Sequence, residues 1–131
     1  MSTGTADNHR GVIAEMERQL TGWDDPVGRL RRALERNELV AYAQPIVTLS
    51  GELPVALAEM LVRLREEERA LLPPGDFLPV FEHFRMMREL DGWIVRCAVR
   101  GLARGLRVPR LSVNVSEQTL EDLGFAAFIA A

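Results

Sequence analysis

The chain has 131 residues, of which 47% are hydrophobic and 27% charged, the composition of an ordinary folded domain able to bury a core. Nineteen acidic residues against sixteen basic ones, every one an arginine, give a net charge of -3, and without a basic run there is no electrostatic footprint for duplex nucleic acid. A single cysteine, Cys97, forms no internal disulfide and has no histidine at zinc-ligand spacing, and no apolar run reaches membrane-spanning length, so the sequence reads as a soluble protein of a reducing cytoplasm.

Residues 1–9 are small and polar and are expected to be mobile. Ile13, Met16 and Leu20 then recur at helical spacing over residues 12–20, closing a first segment taken as residues 1–24. The main unit is taken as residues 25–131. Its first helix starts at Asp25-Pro26, an acidic cap followed by a proline suited to the first helical position, and buries Val27, Leu30 and Leu34. Residues 39–47 change to strand patterning, broken at Pro45, and Ser50-Gly51-Glu52 marks a turn into a second apolar run over 54–64. Residues 65–69 read as a charged loop, and Leu72-Pro73-Pro74-Gly75-Asp76-Phe77 leads into a helix of about two turns.

The longest helix is expected over 87–104, with Met87, Leu90, Ile94, Cys97, Ala98 and Gly101 along one side and Gly105 as terminator. Residues 111–115 form the third strand, and Ser116 opens a last helix carrying Leu120, Phe125 and Phe128. This helix has no polar last turn or terminator. Tandem early strands followed by helix and strand indicate an α/β fold with an antiparallel opening and a parallel continuation.

Two strands have one apolar and one polar face. Val55, Leu57, Glu59, Leu61 and Arg63 share a side against Ala56, Ala58, Met60, Val62 and Leu64, while Ser112 and Asn114 oppose Leu111, Val113 and Val115. In (β/α)8 barrels, polar residues near the C-terminal ends of strands build the sites. From spacing alone Glu59 and Arg63 fit a structural ion pair or an exposed face as well as a site, Asn114 fits a turn or cap, and Gln44 fits a surface amide. Cys97 and Met86-Met87 fit core packing, and no motif assigns His83 a chemical role.

Five segments in order carry a resemblance: Tyr42-Ala43-Gln44-Pro45-Ile46-Val47, Glu59-Met60-Leu61-Val62-Arg63, Leu72-Pro73-Pro74-Gly75-Asp76-Phe77-Leu78-Pro79, Leu90-Asp91-Gly92-Trp93 and Leu111-Ser112-Val113-Asn114-Val115-Ser116. Together they resemble successive motifs of the EAL family of cyclic-di-GMP phosphodiesterases. The resemblance implies the N-terminal part of a modified (β/α)8 TIM barrel with an antiparallel first strand, about half of a domain of roughly 250 residues. By it Glu59 and Asn114 are metal ligands for Mg2+ or Mn2+, Arg63 holds a substrate phosphate, and Gln44 and Leu61 line the dinucleotide cleft.

The implied chemistry is attack by a metal-activated water on one phosphodiester of cyclic-di-GMP, giving the linear dinucleotide. Met60 stands where the family has alanine, Leu64 where a large residue is common, and residues 82–85 where a glycine often occurs. The family's later acidic ligands and its catalytic lysine have no counterpart, so metal binding is expected to be weak or absent and this chain inactive alone. The alternative is a catalytically inactive EAL-like module that binds a protein or the dinucleotide. An open half barrel is further expected to self-associate or to take a protein partner.

Overall fold

The computed structural model describes residues 11, 15, 22–51, 55–66, 70–72 and 74–131. The segment expected to be mobile over 1–9 and, apart from Glu15, the helix expected over 12–20 lie outside the described residues. Helix α1, Pro26–Glu35, begins as its sequence dictates: Pro26 opens the first turn and the Asp25 carboxylate accepts from the Gly28 amide at 3.0 Å. A Cβ on Gly28 would fall 1.8 Å from the Asp25 carboxylate, so a side chain there would push the capping carboxylate aside.

Strand β1, Leu39–Ile46, pairs antiparallel with β2, Leu57–Glu66, from Leu39↔Leu64 to Ile46↔Leu57. The break expected at Pro45 does not occur. β1 has a strand neighbour on one side among the described residues, and at such an edge the missing proline N–H leaves no ladder bond unmade. The loop expected over 65–69 is corrected in part: Arg65 and Glu66 continue β2, and a short strand β3, Ala70–Leu72, pairs back on them antiparallel from Leu64↔Leu72 to Glu66↔Ala70.

Helices α2, Pro74–His83, and α3, Met87–Ala103, then cross over the sheet and deliver β4, Leu111–Val113, parallel to β2. α3 ends where expected: Gly105 takes φ +85° and the Leu106 amide returns to the Gly101 carbonyl at 3.0 Å. The same closure ends α2 without glycine, with Arg85 at φ +53° and the Met86 amide on the Phe81 carbonyl at 2.8 Å. The last helix is two helices. Ser116 caps α4, Glu117–Leu120, and the Asp122 carboxylate accepts from the Gly124 amide at 2.8 Å as α5, Gly124–Ala130, begins.

Period-two alternation decides the core. Ala58, Met60, Val62 and Leu64 are buried on one face of β2, with Ala41 and Ala43 of β1 and Leu111 and Val113 of β4 packed beside them. Against this face lie Leu30 and Ala33 of α1, Phe77 and Phe81 of α2, and Leu90, Ile94 and Ala98 of α3. Met60 and Leu64, two of the three departures from the pattern of the resemblance, are thus core residues. Met86 is buried with them, and burial pushes the Cys97 thiol up against the opposing charges of Arg100 and Arg96, so Cys97 is a packing residue and a poor nucleophile. Leu120, by contrast, is exposed, while Phe125 is buried and stacks on Phe128. The Arg88 guanidinium lies over both rings and bonds Asp122 at 2.8 Å, fastening α5 to α3.

Candidate functional site

With one face of the sheet committed to the helices, the other carries the polar side chains, and strand register fixes which of them meet. Gln44 stands opposite Glu59 in the antiparallel pair, and Ser112 stands beside Glu59 in the parallel pair. These three form a row across β1, β2 and β4. One step further along β2 comes Leu61, with Tyr42 opposite it, and one step beyond that comes Arg63, opposite Val40.

Asn114 is the first residue after β4, and its Nδ2 donates to Glu59 Oε1 at 2.7 Å. The bond uses one of the amide's two N–H donors and one of the carboxylate's two oxygens, so each side chain still offers an oxygen to a third group. Hard divalent cations such as Mg2+ and Mn2+ select carboxylate and amide oxygens of this kind. The donor chemistry at Glu59 and Asn114 therefore fits such an ion. An octahedral shell takes further oxygens, and among the described residues no group of three or more His, Cys, Asp or Glu side chains is clustered to supply them.

Arg63 does not pair with Glu59. Four residues along a strand separate their α-carbons by about 13 Å, too far for direct contact. Its Nη1 donates to the carbonyl of Val62 at 2.8 Å, which anchors the half-buried guanidinium at the far end of the same polar face. A planar, permanently charged fork there is suited to a phosphate. The structure thus brings Gln44, Glu59 and Asn114 together and sets Leu61 and Arg63 on the same face in sequence, about 7 and 13 Å along the strand from Glu59.

Asp91 is the site neighbour that sequence reasoning missed. It appears in the fourth motif with no role, yet it is 2% exposed, and one of its oxygens accepts from both the amide and the hydroxyl of Ser116 at 2.9 and 2.7 Å. The signal was present in part: a charged residue on the apolar stripe of a helix demands a partner. Which partner, twenty-five residues on, no local pattern reveals. Beneath Asn114 a cleft of about 320 Å³ is lined by Leu61, Asp91, Asn114 and Ser116 among others.

The sequence matches the EAL domain family over residues 27–131. It is 38% identical over 97 residues to the cyclic di-GMP phosphodiesterase PdeR of Escherichia coli, covering 71% of this chain and 14% of that protein. The FimX EAL domain of Pseudomonas aeruginosa, solved bound to c-di-GMP, superposes with a TM-score of 0.69 at 26% identity over 80% of this chain and 42% of that one. The PaMucR phosphodiesterase in its c-di-GMP complex gives 0.67 at 27% identity, over 81% of this chain and 44% of that one. The chain spans less than half of these solved structures and about one-seventh of PdeR. Its mixed α/β sheet with an antiparallel first strand is the corresponding part of a TIM-barrel-like EAL fold, and the chain belongs to the EAL domain family.

Proposed function

We propose that residues 25–131 form the N-terminal part of a cyclic-di-GMP phosphodiesterase domain and supply it with two metal ligands, Glu59 and Asn114, and a phosphate clamp, Arg63. The observation that carries this reading is the 2.7 Å contact between Glu59 and Asn114 across adjacent parallel strands, on a polar face that also presents Gln44 and Arg63. In this scheme Arg63 holds a phosphate of the dinucleotide through its fork of N–H donors, while Gln44 and Leu61 form the wall along which the dinucleotide lies. Glu59 and Asn114 orient their oxygens toward a Mg2+ or Mn2+ ion, which when bound would lower the pKa of a water and make it a nucleophile at neutral pH.

A two-metal site takes several carboxylates, so the 131-residue polypeptide alone is expected to bind such ions weakly and to leave cyclic-di-GMP intact. The second reading is an inactive EAL-like module that binds the dinucleotide or a protein. β1 has a strand neighbour on one side among the described residues, and its other edge further suggests association with a second copy or a protein partner in the cytoplasm. Among the described residues no helix is long and apolar enough to cross a membrane.

The test is c-di-GMP binding and hydrolysis to the linear dinucleotide, measured with Mn2+ for wild type, Glu59→Ala and Arg63→Lys in the complete domain. The phosphodiesterase reading expects Glu59→Ala to abolish turnover and Arg63→Lys to weaken binding about tenfold or more, because lysine cannot make the bidentate contact. Binding without turnover in wild type would establish the inactive dinucleotide-binding module, and wild-type indifference to both Mn2+ and c-di-GMP would overturn the phosphodiesterase reading and leave the protein-binding module.

A further inference from the structure

Every ligand of a rigid site must be held by something. Glu59 is held by the β2 ladder, with β1 on one side and β4 on the other. Asn114 has no ladder of its own, since β4 ends at Val113. What limits it lies on either side. Upstream, the register Ala58↔Leu111, Glu59↔Ser112, Met60↔Val113 fixes the chain as it leaves the sheet. Downstream, two residues after Asn114, Ser116 is gripped by both its amide and its hydroxyl on a single oxygen of Asp91. Ser116 in turn accepts from the Thr119 amide at 3.2 Å as the cap of α4, and its hydroxyl lies 2.9 Å from that of Thr119, itself fully buried.

We propose that Asp91 is a positioning residue of the site: from the buried side of α3 it fixes Ser116, and so holds the two-residue turn 114–115 in the shape that presents Asn114 to Glu59. The inference rests on the reading of Glu59 and Asn114 as metal ligands for its consequence, though not for its geometry. Two residues of chain reach at most about 7 Å, so a ladder at one end and a doubly bonded anchor at the other leave Asn114 little room. A carboxylate suits the task because it accepts without donating, and can take an N–H and an O–H together at short distance. Asp91 and Asn114 also line one cleft, so the anchor is adjacent to the ligand it serves.

The experiment compares wild type, Asp91→Asn, Ser116→Ala and Ser116→Thr in the complete domain. It uses the side-chain amide resonances of Asn114 without metal, Mn2+ affinity, and denaturant stability, with Leu30→Val on α1 as a core control. An amide at residue 91 keeps the shape but offers Ser116 a weaker acceptor or a competing donor. Asp91→Asn is expected to shift the Asn114 amide pair and to weaken Mn2+ binding about ten- to hundredfold, the usual effect of losing a group that orients a ligand. Ser116→Ala, which keeps the amide bond, falls between; Ser116→Thr, which restores the hydroxyl, returns toward wild type; and Leu30→Val, buried on α1 and outside the cleft, loses stability with no change in either site readout.

Unchanged Asn114 resonances in a folded Asp91→Asn protein would overturn the proposal. Should Asp91→Asn not fold, Ser116→Ala decides on the same resonances. If wild type takes up no Mn2+, the metal reading of the site fails while the Asn114 resonances still judge Asp91.

Discussion

Asn114→Asp turns the central contact of the site into a repulsion. The Asn114 amide now donates to Glu59 Oε1 at 2.7 Å; an aspartate in its place sets oxygen against oxygen with two negative charges. Backed off to about 4 Å, such a pair repels by about 1 kcal/mol in water and about 4 kcal/mol at an effective dielectric of 20. Asn114 is exposed and Glu59 half-buried, so the lower part of that range applies, about 1 to 2 kcal/mol on top of the lost hydrogen bond. Urea unfolding followed by tryptophan fluorescence should therefore rank Asn114→Asp below Asn114→Ala, with a gap that widens at low ionic strength. A divalent ion between the two carboxylates reverses the sign: Mn2+ should stabilise Asn114→Asp more than wild type and leave Asn114→Ala unaffected. Equal stability of the two variants at low salt, with no selective rescue by Mn2+, would mean that Glu59 and Asn114 are not in contact in solution.

Three further outcomes are expected. Arg85→Gly should stabilise the chain by up to about 1 kcal/mol in urea, because a left-handed non-glycine residue costs about 1–2 kcal/mol and the looser unfolded chain returns only part of it; the exposed Arg85–Glu121 pair at 3.6 Å contributes little, and a net loss would show that the turn needs the arginine. Leu90→Ala, at a position with no exposure beneath the sheet, should cost about 2–5 kcal/mol, and a loss below 1 kcal/mol would contradict the packing of α3. Asp122 is held below the ordinary carboxylate range first by the Gly124 amide and then by Arg88; its contribution is therefore complete above the usual aspartate value near 4 and is lost as pH falls through its lower folded value. The stability gap between wild type and Asp122→Asn should accordingly close on acidification, and a gap constant from pH 6 to pH 2 would refute the assignment.

What could be read from the sequence was what local periodicity writes. The alternation in β2 correctly separated Met60 and Leu64 from Glu59 and Arg63, because strand geometry assigns faces without reference to the rest of the fold. α3 and its glycine terminator were legible for the same reason. β3 was not: three residues carry no periodicity, and Ala70–Leu72 is a strand by virtue of its pairing with residues 64–66. The division of the last helix turns on the Asp122 side chain reaching the Gly124 amide, a signal that the apolar run after it obscured. Pro45 was read as a break because a proline forbids a ladder bond, and the bond it forbids lies on the side of β1 that has no partner among the described strands.

The same distinction runs through the site. Glu59 and Arg63 are aimed by strand alternation, a local device, so substitutions elsewhere in the fold should move them little. Asn114 sits in a turn that belongs to no ladder, and its aim depends on a bond between residues 91 and 116 that no short window of sequence contains. A site assembled in this way is unequal in its tolerance. Substitution of Asp91 on α3, remote from the polar face in sequence and on the other side of the sheet, should act on the proposed metal position through Asn114 while leaving the proposed phosphate clamp at Arg63 in place. Loss of metal affinity with dinucleotide affinity retained is thus the signature that separates damage to the Asp91 anchor from damage to the strand that carries Glu59 and Arg63 together.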